Sequence, residues 1–140
     1  MHSLDVHVRN NMQSNTVYWL AAAFVVSFFA VGFPYWQIPY TKVSLPNTLY
    51  DTGLLVVGVL AVAARVFGKA RLLAVIFAVG AAVPAPILAR IAVDSAKDPT
   101  SHNLWPFELI IAAVIGALCS SAGALGGSLL ARLSRHEDTA

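Results

Sequence analysis

The side chains able to do polar chemistry together are Arg90, Asp94, Asp98, His102, Glu108 and Asp51. Arg90 and Asp94 stand four apart, which on a helix puts a cation and a carboxylate on one face. His102 with Asp94, Asp98 and Glu108 offers imidazole and carboxylate oxygens, yet the spacing fits no established metal-ligand pattern, and no metal is assigned. Asp51 and Glu108 open two apolar stretches, where a carboxylate complements the positive end of a helix dipole. The functional alternative pairs Arg90 with Glu108 or Asp51 across a helix bundle, making a polar ligand-binding site just beneath one surface. No acid lies near the middle of an apolar stretch, which argues against a proton-coupled pump. The chain has no G-x-S-x-G, H-E-x-x-H, phosphate-cradling glycine loop or C-x-x-C-H. We expect no enzyme and no cofactor.

These residues decorate a very apolar chain. Of 140 residues 58% are hydrophobic and 11% charged, with a mean hydropathy of +0.71. Soluble domains carry about 25% charged residues, so a soluble globular or disordered chain is excluded. A net charge of +2 without basic clusters of the required size excludes a charge-driven nucleic-acid binder. The single cysteine, Cys119, excludes an internal disulfide.

Apolar stretches cover about 17–33, 51–67, 72–93 and 106–133. Crossing a hydrocarbon core of about 30 Å takes roughly 17 to 25 helical residues. Backbone groups in lipid must pair within the chain, so such stretches are helical. The expectation is an all-α, four-helix transmembrane bundle spanning 17–133. A polar tail, 1–16, precedes it without fixed structure, and 134–140 follow as a C-terminal tail. Helix one should stop at Pro34. A cleaved signal peptide ending near Ala30–Gly32 is the competing reading of the first stretch.

With both termini cytoplasmic, the inner side holds Arg9, Arg65, Lys69, Arg71, Arg132 and Arg135, against Lys42, Arg90 and Lys97 outside. Retained positive charge sets topology, and the Arg65–Arg71 turn is the strongest part of that count. Arg65 is expected to snorkel to the headgroups. Trp19, Trp36, Trp105, Tyr18, Tyr35, Tyr40 and Tyr50 all fall at or beyond span ends, where amphipathic rings meet the headgroups.

The last stretch places Ala112, Gly116, Ser120, Ala124 and Ser128 in one small-residue row, with Cys119, Gly123 and Gly127 beside it. Small residues let helix backbones approach closely, inside the bundle or at a seam with another protomer. Cys119 serves there as a small filler. In the third stretch Pro84 and Pro86, preceded by Gly80, take hydrogen-bond partners from the carbonyls of Gly80 and Ala82 and should break or kink the helix. Both polar loops end alike, at Asn47-Thr-Leu-Tyr50 and Asn103-Leu-Trp105, which hints at a tandem hairpin repeat.

The layout is similar to small multidrug transporters, but those carry an embedded glutamate in helix one and 17–33 contains no acid. It is similar to fluoride channels, without their polar central motif. In topology and size it resembles the small four-helix subunits of tripartite solute transporters, which implies an accessory role. The expected protein is a multi-pass component of a bacterial inner membrane, an auxiliary or assembly subunit. Its partners are the lipid bilayer and a membrane protein or second copy contacted through the fourth helix, not nucleic acid. The alternative is a small dimeric solute or ion transporter that uses the Pro84–Pro86 break and Arg90.

Overall fold

The computed structural model of the chain describes residues 2–39, 42–45, 47–97 and 104–137. Its order is α1 (His2–Gln37), a short 3-10 turn (Asn47–Leu49), α2 (Thr52–Val66), α3 (Leu72–Gly80), α4 (Pro84–Lys97) and α5 (Trp105–Glu137). Among the described residues all regular structure is helical. Three units are long and apolar enough to cross a membrane: Gln13–Gln37, Leu72–Lys97 across the α3–α4 break, and Trp105–Ser134. Their mean hydropathies are 1.9, 2.4 and 2.1. The fourth, α2, has 15 residues. At 1.5 Å per residue it rises about 22 Å, short of a full hydrocarbon core.

Helix α1 differs from expectation at both ends. It begins at His2, so the supposed unstructured tail is helical. Residues 2–16 contain neither proline nor glycine, and nothing in them interrupts a helix once the apolar segment nucleates it. The helix also passes through Pro34 to Gln37. Pro34 cannot donate to the Ala30 carbonyl. Gly53 of α2 packs on that same carbonyl, and a Cβ on Gly53 would stand 2.7 Å from Ala30 O and 3.0 Å from Val31 Cα. The backbone approach that Gly53 allows gains contact at the site where the proline costs a hydrogen bond.

The third stretch breaks as expected, into α3 and α4 joined by residues 81–83. The Gly80 carbonyl does not lose its partner, however. Val83 N–H donates to it at 3.2 Å, and Ala82 N–H donates to Val79 at 3.1 Å. Tightening to i→i−3 bonds satisfies the backbone where Pro84 cannot donate.

Helix α5 is the spine of the fold, packing along α2 and α3, while α1 lies against α2 and α4 bridges α1 and α5. Its small residues are consumed inside the chain. Gly116 meets the Gly80 carbonyl and Val83, Gly123 meets the Gly58 carbonyl and Ala61, and Gly127 meets the stem of Arg65. Ala112, Ser120 and Ala124 are fully buried. Outward faces stay apolar: only 22%, 39% and 28% of the three most apolar windows are buried within the chain.

Polar contacts gather at two ends. Thr16 Oγ1 donates to the Gly68 carbonyl at 2.8 Å, which joins the start of the first apolar run to the α2–α3 turn. Arg65, Lys69 and Arg132 surround one cavity there, so the end of α5 lies at that same pole. The opposite pole carries the end of α1 and the Arg90 region of α4.

Candidate functional site

Arg90 is the most connected ionic group among the described residues. Its position on α4 aims the side chain at the C-terminal turn of α1. Nη1 donates to the Tyr35 carbonyl at 3.0 Å and Nη2 to the Ile38 carbonyl at 2.9 Å. Carbonyls in the last turn of a helix have no intrahelical donor, and the negative end of the helix dipole favours a cation there. The guanidinium also lies over the Tyr35 ring, 5.1 Å from its centroid. Asp94, one turn on, accepts from Nε at 3.4 Å. Arg90 thus pairs with an acid of its own helix, and its side chain is only 12% exposed.

A second link holds α1 to α4 nearby. Trp36 Nε1 donates to the Pro86 carbonyl at 3.0 Å, and Gly32 leaves room for both, since a Cβ there would stand 3.0 Å from Pro86 Cβ and from the Trp36 ring. Between these links opens a cavity of about 460 Å³ lined by Trp36, Ala89, Arg90, Val93 and Asp94.

The remaining candidates lie elsewhere. Asp51 does not reach Arg90: it caps α2, accepting from Thr52 N–H at 2.6 Å and Thr52 Oγ1 at 2.9 Å. A residue just before a helix satisfies that helix's orphan donors more cheaply than it crosses a bundle. Those bonds, the backbone N–H first, hold the exposed Asp51 carboxyl below its ordinary range. Glu108 stands half-buried in the first turn of α5, where a carboxylate complements the helix dipole. His102 and Asp98 lie outside the described residues. No group of His, Cys, Asp and Glu able to hold a metal ion occurs among the described residues.

Inside the helical body, polar side chains bond to neighbouring backbone. Ser120 Oγ donates to Ile76 O at 3.2 Å, and Cys119 Sγ to Leu54 O at 3.1 Å. The thiol is thus more than a filler. Ser27 Oγ is buried without a hydrogen-bond partner among the described residues. Tyr35 is 1% exposed beneath Arg90, whereas Tyr18 and Tyr50 lie open on the surface. No sequence signal marks Tyr35 as different, because its ring is buried by a helix fifty-odd residues away along the chain.

Arg65 departs from its expected snorkelling. Nε donates to Ser128 Oγ at 2.8 Å and Nη1 to the Ala70 carbonyl, tying α2 to α5 and to its own following turn. Ser128 in turn donates to Ala124 O at 2.8 Å. Gly127, adjacent to Ser128 in the small-residue rows, was the available signal, because it clears space for the Arg65 stem.

No protein-family model matches the chain, and neither curated proteins nor solved structures give a match.

Proposed function

We propose that this is a multi-pass membrane protein with an accessory, non-catalytic role: an auxiliary or assembly subunit of a larger complex in a bacterial inner membrane. The observation that carries the accessory reading is the use of five interior polar side chains as links between helices. Arg90, Trp36, Ser120, Cys119 and Arg65 each bond to the backbone of a neighbouring helix or turn. Such groups staple helices together, whereas a transport path needs polar groups turned toward a passage.

The outward apolar faces support lipid as the surrounding medium. Four crossings with both termini cytoplasmic agree with the convergence of Arg65, Lys69 and Arg132 at one pole. In this arrangement α2 crosses as the shortest span, with local bilayer thinning making up the difference. Contact with a partner falls to the outer face of the first half of α5, where Ile110, Val114 and Leu118 are exposed, since its small-residue face is filled from within. Gentle-detergent purification from the native membrane followed by mass spectrometry tests the proposal. A larger membrane protein should co-elute in fixed proportion, and a homo-oligomer with no companion refutes the accessory role.

The second reading is a small dimeric transporter for a solute or ion. The 460 Å³ cavity beside Arg90 and the α3–α4 break favour it. Flux into proteoliposomes that falls on Arg90→Ala would replace the accessory reading; flux unchanged by that substitution removes Arg90 from any transport mechanism.

A further inference from the structure

We propose that the cavity between the α2–α3 turn and the end of α5 binds a phosphoryl group, presented by the headgroup of an anionic phospholipid. Its volume is about 650 Å³, within the roughly 300–1,000 Å³ of small-molecule sites. Arg65, Lys69 and Arg132 line it, and among the described residues no acidic side chain does. Three cations held close together repel one another, and an anion placed among them relieves that repulsion.

The cations are differently prepared. Arg65 is fixed by Ser128 and the Ala70 carbonyl through Nε and Nη1, and its Nη2 has no partner among the described residues. A guanidinium locked by two of its donors presents the others in a set direction, suited to phosphate oxygens. Lys69 and Arg132 are exposed and make no hydrogen bond or ion pair among the described residues. Lys69 adopts φ 49°, the left-handed region in which glycine is ordinarily placed at a helix exit. Strain retained at a lysine, directly after Gly68, is a mark of functional constraint.

The rest of the lining fits a lipid rather than a bare ion. Ser134 adds a hydroxyl, and Leu72 and Leu125 supply an apolar wall. Leu125 is 54% exposed on the outer surface of α5, so the cavity is continuous with the face that acyl chains would cover. Basic recesses between membrane helices are recognised headgroup sites. The phosphoryl chemistry stands on the cavity alone; lipid as its source rests on the membrane reading above.

The test is native mass spectrometry of the full chain in neutral-detergent micelles doped with equal amounts of phosphatidylglycerol and phosphatidylcholine, with inorganic phosphate titrated separately. Preferential retention of phosphatidylglycerol is expected, and Lys69→Gln with Arg132→Gln should weaken it by about 25-fold, near fivefold per cation. Both side chains are exposed, so the double variant should keep its thermal midpoint or raise it slightly through relieved repulsion, which is measured alongside. Phosphatidylglycerol retention with inorganic phosphate inert assigns the site to lipid; inorganic phosphate binding that is lost in the double variant keeps the phosphoryl site but overturns the lipid source. Equal retention of both lipids without phosphate binding overturns the proposal, as does a preference that survives the double substitution. Alkaline carbonate extraction of cell membranes reads the membrane assignment independently of either result.

Discussion

The guanidinium of Arg90 both covers the Tyr35 ring, 5.1 Å from its centroid, and takes the Tyr35 carbonyl at 3.0 Å. One residue of α1 is thereby gripped by its side chain and by its main chain at once. The Ile38 carbonyl, at 2.9 Å, completes a clasp around the end of the helix. Removing the cation takes a charged donor from the Tyr35 and Ile38 carbonyls, leaves Tyr35 O only the Ile38 N–H at 3.3 Å, and uncovers the ring. Arg90→Ala should therefore destabilise the fold by roughly 2–4 kcal/mol, from lost charged hydrogen bonds and the cation–π contact. Arg90→Lys should recover part of this, because one ammonium cannot fork to both carbonyls. Asp94→Asn should cost less than about 1 kcal/mol, the scale of a partly exposed ion pair. Thermal unfolding in detergent orders the three variants.

The small-residue rows of α5 make a sharper, paired prediction. A Cβ on Gly116 collides with the Gly80 carbonyl, a backbone atom at the α3–α4 break. A Cβ on Gly126 meets nothing within 4 Å. Gly116→Ala should cost about 1–3 kcal/mol through overpacking. Gly126→Ala should be neutral, or stabilising by up to ~1 kcal/mol, through helix propensity. Equal effects in a thermal-shift measurement would contradict the packing described for α5.

That pair also shows what could be read from residue order and what could not. The position of α5, the close approach at Gly116 and the break before Pro84 follow from local composition and backbone chemistry, and local chemistry is what a sequence displays. Pro34 misled because its penalty is local whereas its remedy, Gly53 at the Ala30 carbonyl, arrives from another helix. Arg90 stands out in the sequence with Asp94 one turn away, but its carbonyl partners are main-chain atoms, which every residue carries and none advertises. Arg65 looked like a terminal cation for the same reason. Its partner Ser128 lies sixty-three positions on and resembles any small residue of a packed helix.

Asp51 gives a prediction about acidity. Its carboxyl is held below the ordinary value of 3.8 by Thr52, so the folded chain binds that proton less readily than the unfolded chain. The cap's contribution is then fully present above the unfolded-state pKa and is lost as pH falls through the lowered folded-state pKa. Asp51→Asn, which can accept the same bond at any pH, should flatten this part of the acid dependence of the melting temperature. A wild-type and Asn profile that run parallel below pH ~4 would show that the cap does not act this way.

Lys69 separates the demands of folding from those of the basic cavity. Its φ of 49° is unfavourable for any side chain with a Cβ, and the turn it occupies carries the Ala70 N–H to the Ala64 carbonyl at 3.3 Å. Left-handed backbone costs roughly 1 kcal/mol for such a residue, and glycine escapes it. Lys69→Gly should therefore raise stability by up to about 1 kcal/mol, less whatever glycine's extra unfolded-state freedom returns. Lys69→Ala keeps the strain while deleting the charge, so any gain it shows measures relief of repulsion from Arg65 and Arg132 alone. Glycine above alanine in melting temperature is the expected order, and alanine equal to or above glycine would mean the left-handed turn carries no cost.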